Sequence, residues 1–453
     1  MTADDDLNPP PPDDNDAPPE LASVAFLEGR DDPNDAIPIL PTTFYDQRPV
    51  LAHIRQAAHS RMRAADGVLH AVLARTAAMI DPDVRLPPIT GSHASLNFFT
   101  ALVAPSGGGK STSIDIARDL VPGDQGLMDR PIGSGEGLAE LYMGTLEADG
   151  KKIRAQTAYR AFVTVDEGEA LFEMSSRRGT TIMPTLRTAW SGGTLGQSNG
   201  SVDNTRFVQA HKYRLGMVIG LQPQSAGRLL ADATGGTPQR FTYAAAVGRD
   251  IPRERPSWPG DLSERFTHLP GPGRMDFTVH PDVRQEIELG HFDRARGAYV
   301  GSELDSHADL LRLKIAALLA VLDGRLAVTP ADWEIGCQVY AASVRVRTHI
   351  LDLAHVQLQR EEDAETAKMA RREFAVQAAR DSSSVVVEHQ ARRVALAVYR
   401  AGDSLTRTEL RECFNSRNRH LVDPSIVKAV EMGWLIVVEG KRYGPGPSRP
   451  SEP

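Results

Sequence analysis

The sequence predicts an α/β protein. A three-layer domain carries a helical segment before it, a helical lid after it and a small helix-and-hairpin module at its C-terminal end. Three observations predict this. Apolar runs at 96–104, 161–165, 213–220 and 241–247 read as strands buried on both faces, and helical stretches separate them. A glycine-rich loop, PSGGGKST, follows the first run directly and leads into the helical IDIARDL. The segment after residue 385 reads helix, helix, helix, then strand, turn, strand.

The chain has 453 residues, with 51 Lys+Arg against 59 Asp+Glu and a net charge of -8. That length predicts several domains. The charge is unevenly placed. Residues 1–35 hold eleven acids and one base, Arg30, so the tail carries -10 and the rest of the chain +2. The tail is also Pro-rich and has too little apolar surface to fold, so residues 1–36 are expected to be disordered. Two cysteines, Cys337 and Cys413, exclude a disulfide scaffold and a Cys-rich zinc site. The longest apolar run, IAALLAVL at 315–322, falls far short of the ~20 residues of a membrane span. The N-terminus has no basic or apolar signal-peptide region, and a cytoplasmic protein is expected.

The segment 37–88 reads as two helices, with stripes Val50, Leu51, Ile54, Ala58 and Val68, Leu69, Val72, Leu73, Ala77, and with Gly67 as the break between them. Residues 89–250 form the core. The Pro- and Arg-rich stretch opening 251–302 reads as a connector. Residues 303–384 form the lid, with Gly324 a stop, Pro330 a first-turn proline and DSSS (381–384) a linker. Residues 385–446 have the order of a winged helix-turn-helix. Thr406 caps its second helix, Asp423-Pro424 starts the third, and WLIVV and KRYG pair across Glu439-Gly440. Residues 447–453 are a short tail.

The loop Ala104-x4-Gly109-Lys110-Ser111 is a P-loop with alanine at its first position, between a buried strand and a helix as the motif requires. Pro105, Ser106, Gly107, Gly108, Gly109, Lys110, Ser111 and Thr112 would line a nucleotide's phosphates. The glycines let backbone N–H groups curl around phosphate oxygens, and the next helix adds positive potential. Lys110 would reach the β and γ phosphates, and Ser111 would offer a hydroxyl to Mg²⁺. Asp166-Glu167 closes the second run at the end where ligands bind in such sheets. Asp166 would hold Mg²⁺ directly or through water and Glu167 would act as general base; a helix N-cap pair is the other reading. Gln222 reads either as a contact to the γ-phosphate or attacking water, or as a loop amide. Arg240, in GGTPQRF, reads either as a stabiliser of transition-state charge or as a surface arginine. GSGEGL (133–138) reads as a helix-starting turn or a second phosphate-side loop.

Residues 190–214 are expected to form a hairpin with a turn at Asn199-Gly200. Arg206, His211, Lys212 and Arg214 would line one arm, either along a phosphate backbone or as a solvated face. Residues 385–453 hold eleven bases and eight acids. Arg411, Arg417, Arg419, Lys428, Lys441 and Arg442 suit phosphate contacts, although many winged helices bind proteins instead.

The loop APSGGGKST, the acids in FVTVDEGEA, the arginine in TGGTPQRF and the hairpin before the third strand come in the order of AAA+/superfamily 3-type ATPases. The sequence most resembles the replication-associated, primase/helicase-like P-loop ATPases of actinobacterial phages, plasmids and integrative elements, over residues 40–445. That resemblance implies an AAA+-like sheet, ATP and Mg²⁺ as cofactors, and nucleotide and metal roles for Lys110, Ser111, Asp166 and Glu167. It puts Gln222 on the sensor strand, where asparagine is the commoner residue, Arg240 at the arginine finger, and Lys212 on the hairpin that grips single strands. It further implies a homo-oligomeric ring, a hexamer, acting on single-stranded or origin DNA beside a primase, away from membranes. No primase metal cluster is apparent, so the ATPase component alone is expected. Two functions follow: an ATP-driven DNA motor, or a nucleotide-switched assembly protein that binds DNA without unwinding it.

Overall fold

The structure is a computed structural model. It describes residues 37 and 39–452, except 149–150, 177–179, 198–205, 231, 233–234, 268, 270, 299–301 and 417. The acidic tail, the Asn199-Gly200 turn and Arg417 therefore lie outside the described residues. The chain packs as two compact units that divide at Val356/Gln357.

Five strands form the central sheet of the first unit: β1 (Phe98–Val103), β2 (Leu127–Asp129), β5 (Arg160–Val165), β8 (Arg214–Leu221) and β9 (Phe241–Ala245). Two antiparallel hairpins interrupt the chain order: β3 (Met143–Ala148) with β4 (Lys151–Gln156), and β6 (Leu195–Gln197) with β7 (Arg206–Val208). The sheet order is β9-β1-β8-β5-β2, and every pairing is parallel. All six residues of β1 and all eight of β8 are buried, which is why they read as unbroken apolar runs.

Helices α1 (Pro49–Ser60) and α2 (Ala65–Met79) belong to the same hydrophobic core as the sheet. Buried on every side from Ala65 to Ala78, α2 packs on β1, β5, β8 and β9. His70 of α2 bonds the hydroxyls of Thr100 and Thr242 at 3.2 and 3.0 Å. Gly67 is not the break between these helices but lies within α2. A Cβ there would come 3.1 Å from Ala246 Cα, so glycine permits close helix–sheet contact. The actual turn is Arg61–Ala64, where Met62 takes a left-handed φ of 55°.

After the core, the stretch 251–302 contains a 15-residue helix, α8 (Pro281–Ala295), with only Val283 and Ile287 buried. So narrow a stripe leaves little periodic signal. Helix α9 (Ala308–Leu322) is apolar nearly all round and lies in the core. Helix α10 (Pro330–Ala401) runs through 381–384, so DSSS is not a linker. Serine costs a helix only a few tenths of a kcal/mol, and no proline or glycine lies between 337 and 401. Among the described residues, no helix is long and apolar enough to cross a membrane.

The second unit packs the end of α10 with α11 (Arg407–Arg411) and α12 (Val422–Glu431). Its core comprises Ala391, Val394, Val398, Leu410, Phe414, Ile426, Trp434 and their neighbours. Thr406 caps α11 in a reciprocal box with Glu409. Strands β11 (Leu435–Val438) and β12 (Arg442–Pro445) pair antiparallel around Gly440 and Lys441, both left-handed. A third short strand, β10 (Leu405–Thr406), joins β12.

Candidate functional site

Three strand ends converge because β8 lies between β1 and β5. Val103 is level with Leu221, and Val165 with Ile219. The loop after β1, the acids after β5 and Gln222 after β8 therefore share one edge, the carboxyl end where α/β sheets bind ligands.

Helix α3 (Lys110–Leu120) starts directly from the loop. Gly107 and Gly109 have φ of 72° and 87°, values that only glycine adopts readily. Successive N–H groups in such backbone form anion-binding concavities. Gly108 N donates to the Pro105 carbonyl at 3.0 Å, and Ser113 Oγ to the Gly109 carbonyl at 3.0 Å. Lys110 Nζ donates to the carbonyls of Ala104 and Pro105 at 2.9 and 3.0 Å, which holds the ammonium over the loop. Burial lowers its pKa, while the carboxylates of Glu169 and Glu167 oppose that shift. Ser111 is exposed, and Thr112 is half-buried.

Asp166 and Glu167 are both exposed between β5 and α5 (Gly168–Ser176). Gln222 precedes α7 (Pro223–Leu230), and its carbonyl accepts from Ser225 N and Ala226 N at 3.1 and 2.9 Å. The fold thus brings residues 104–112 together with Asp166, Glu167 and Gln222. Lysine, hydroxyl, exposed carboxylates and left-handed glycines suit a triphosphate with Mg²⁺, which usually takes few protein ligands.

Sequence reasoning missed two members of this cluster. Glu169, two residues after Glu167, acts electrostatically on Lys110 and accepts the Ser225 hydroxyl, so it ties α5 to α7. Gly220 leaves room where Asp166 and Lys110 pass. The DEGE spacing signalled the first; only the strand order reveals the second.

Arg240 occupies a different neighbourhood. Its Nη1 donates to the Gly236 carbonyl, and its guanidinium stacks 5.6 Å from the Trp190 ring, at the end of α6 (Ile182–Ser191). Burial lowers its pKa, with Arg187 adding to the effect. Lys314 of α9 shares that indole, with Nζ 3.6 Å from the ring centroid and donating to the carbonyls of Asn97 and Trp190.

The basic residues near the second hairpin are mostly engaged. Arg206 Nε pairs with Glu140 at 2.8 Å, and Lys212 Nζ with Asp83 at 2.8 Å. Glu140 ends α4 (Gly135–Glu140), the helix that Ser134 starts by capping Gly137 N. The same carboxylate binds Arg154 of the first hairpin, which sequence reasoning did not anticipate, so it clamps both hairpins. His211 is half-buried in a left-handed turn, and burial lowers its pKa. Arg214 does not line a basic arm. It is fully buried and bonds the Ser95 hydroxyl and the carbonyls of Ile80, Asp81 and Val84. An arginine preceding an apolar strand looks the same in sequence whether it points out or in.

In the second unit, Arg419 and Lys441 are exposed, whereas Arg442 is tied to Ser404 and Glu409.

No protein-family model matches the chain, and none of the curated proteins does. Among solved structures it is similar to a full-length MCM homolog from Methanopyrus kandleri, at a TM-score of 0.37 and 13% identity over 67% of this chain. The match covers 60% of that protein, so the chain spans about three fifths of its length.

Proposed function

We propose that the chain is a Mg²⁺-dependent ATPase that acts on DNA as a helicase-like motor. One observation carries the ATPase reading: the strand order sets a glycine-rich loop with Lys110 beside Asp166, Glu167 and Gln222 on one sheet edge. In this reading the loop amides and Lys110 would bind the β and γ phosphates, and Ser111 and Asp166 would hold Mg²⁺, which when bound would supply positive charge against the phosphates. Glu167 takes the proton of the attacking water, and Gln222 orients that water.

The DNA reading has its own support. The first unit carries two antiparallel hairpins outside its central sheet, and the second unit combines helices and an antiparallel hairpin in the order of a winged helix, with Arg419 and Lys441 exposed. The sequence resemblance to replication ATPases of phages and plasmids adds a ring of identical subunits and a primase partner. Arg240 precedes the first residue of β9, at the end of the parallel sheet away from Lys110, and in this reading would serve a neighbouring subunit's nucleotide.

A specific observation favours the second reading, a nucleotide-switched DNA-binding protein that does not unwind. The ion pairs of Arg206 and Lys212 occupy the cations a translocating hairpin would use. Strand displacement on a forked duplex with ATP separates the readings. The motor displaces the strand and hydrolyses ATP faster with single-stranded DNA; the switch binds DNA with ATP and displaces nothing.

A further inference from the structure

We propose that Arg63, in the turn between α1 and α2, is a further nucleotide-binding residue whose guanidinium contacts the polyphosphate beside the loop. This inference rests on the nucleotide-site reading above.

The turn is built to hold that side chain in place. Met62 N and Arg63 N donate to the carbonyls of His59 and Ala58, both at 3.0 Å. Met62 adopts a left-handed φ of 55°, which a non-glycine residue takes up only where its surroundings hold it there. The flanks of the turn are pinned to the chain after β9: His59 Nε2 lies 3.3 Å from Asp250 Oδ2, and a Cβ on Gly248 would lie 3.3 Å from Ala64 Cβ.

Arg63 then lies on the loop itself. A Cβ on Gly109 would fall 2.6 Å from both Cδ and Nε of Arg63 and 3.0 Å from Cζ. Gly109 immediately precedes Lys110, so Arg63 lies against the residue from which α3 and its lysine start. Nη1 of Arg63 donates to the Met62 carbonyl at 2.9 Å. Its Nε is buried and has no hydrogen-bond partner among the described residues, and no carboxylate among them forms an ion pair with the guanidinium. A buried, unsatisfied donor on a permanently charged group is costly. Phosphate oxygens are its natural partners, because the planar fork of arginine bonds them with charge assistance. A purely structural arginine would instead be expected to have a carboxylate or several carbonyls, as Arg75 has Asp129 and Val121 and as Arg214 has Ile80, Asp81 and Val84.

Calorimetric titration of the full chain with MgATP, MgADP and adenosine tests this, using wild type, Arg63→Ala, Arg63→Lys and Lys110→Ala. The expected result is about tenfold weaker ATP and ADP binding in Arg63→Ala, with adenosine affinity unchanged and Arg63→Lys largely restored. The melting temperature without nucleotide should match wild type. Wild-type ATP affinity in Arg63→Ala, alongside its loss in Lys110→Ala, overturns this inference alone. An equal loss for adenosine overturns the polyphosphate contact. Wild-type ATP binding by Lys110→Ala overturns the nucleotide site itself, and this inference with it.

Discussion

A Cβ on Gly220 would stand 2.4 Å from the carbonyl oxygen of Asp166. The ends of β5 and β8 therefore meet backbone to backbone at the point where the acidic pair begins, and Lys110 Cδ lies 3.4 Å from the same position. Gly220→Ala should separate these elements. We expect a stability loss of about 1–3 kcal/mol by chemical denaturation, as for other overpacked interiors, together with weaker ATP binding. Unchanged stability and binding would show that the strand ends accommodate the methyl group.

Glu167→Gln keeps the size of the side chain and removes its basicity. ATP affinity should stay near wild type while turnover falls by ~10²–10⁴. Binding by titration and turnover by phosphate release separate the two effects. Parallel loss of both would make Glu167 a binding residue instead of the base.

Glu140 holds Arg154 and Arg206, and all three side chains are partly exposed. Such pairs contribute little to stability, so Arg206→Ala should change unfolding by no more than about 1 kcal/mol. If the hairpin meets strand phosphates, the same variant should lower the slope of log affinity against log salt by about 0.7 for single-stranded DNA. An unchanged slope assigns Arg206 to the clamp alone.

His70 is fully buried, and burial pushes its pKa down to about 3 from 6.5. The unfolded chain takes up a proton below about 6.5 that the folded chain refuses until about 3. Stability should therefore fall as pH drops through that window. His70→Gln removes this linkage. Its stability difference from wild type should shift by about 3 kcal/mol, toward the variant, between pH 7 and pH 4. Parallel pH curves would mean that His70 is not the group responsible.

The parts of the fold with local periodicity were readable in the sequence. The four main buried strands, the loop after the first, Thr406 as a cap and the hairpin at Gly440 all have signals confined to a few neighbouring residues. Other features depend on contacts between distant residues. Gly67 looked like punctuation because its packing against Ala246 is 179 positions away. Arg214 looked like a surface cation because the carbonyls that satisfy it come from 80–84. The hairpin at 143–156 escaped notice because Leu146 and Ile153 are exposed, so its strands lack a buried apolar face. In the candidate site, Lys110, Asp166 and Glu167 stood out by motif. Glu169 was within reach of the DEGE spacing, whereas Gly220 and Arg63 required the strand order and the helix turn.

The most direct test of the central claim is the steady-state ATP hydrolysis rate of the full chain with Mg²⁺, measured beside Lys110→Ala. The account predicts measurable turnover by the wild type and none above background by the variant. Equal rates in the two proteins would contradict it.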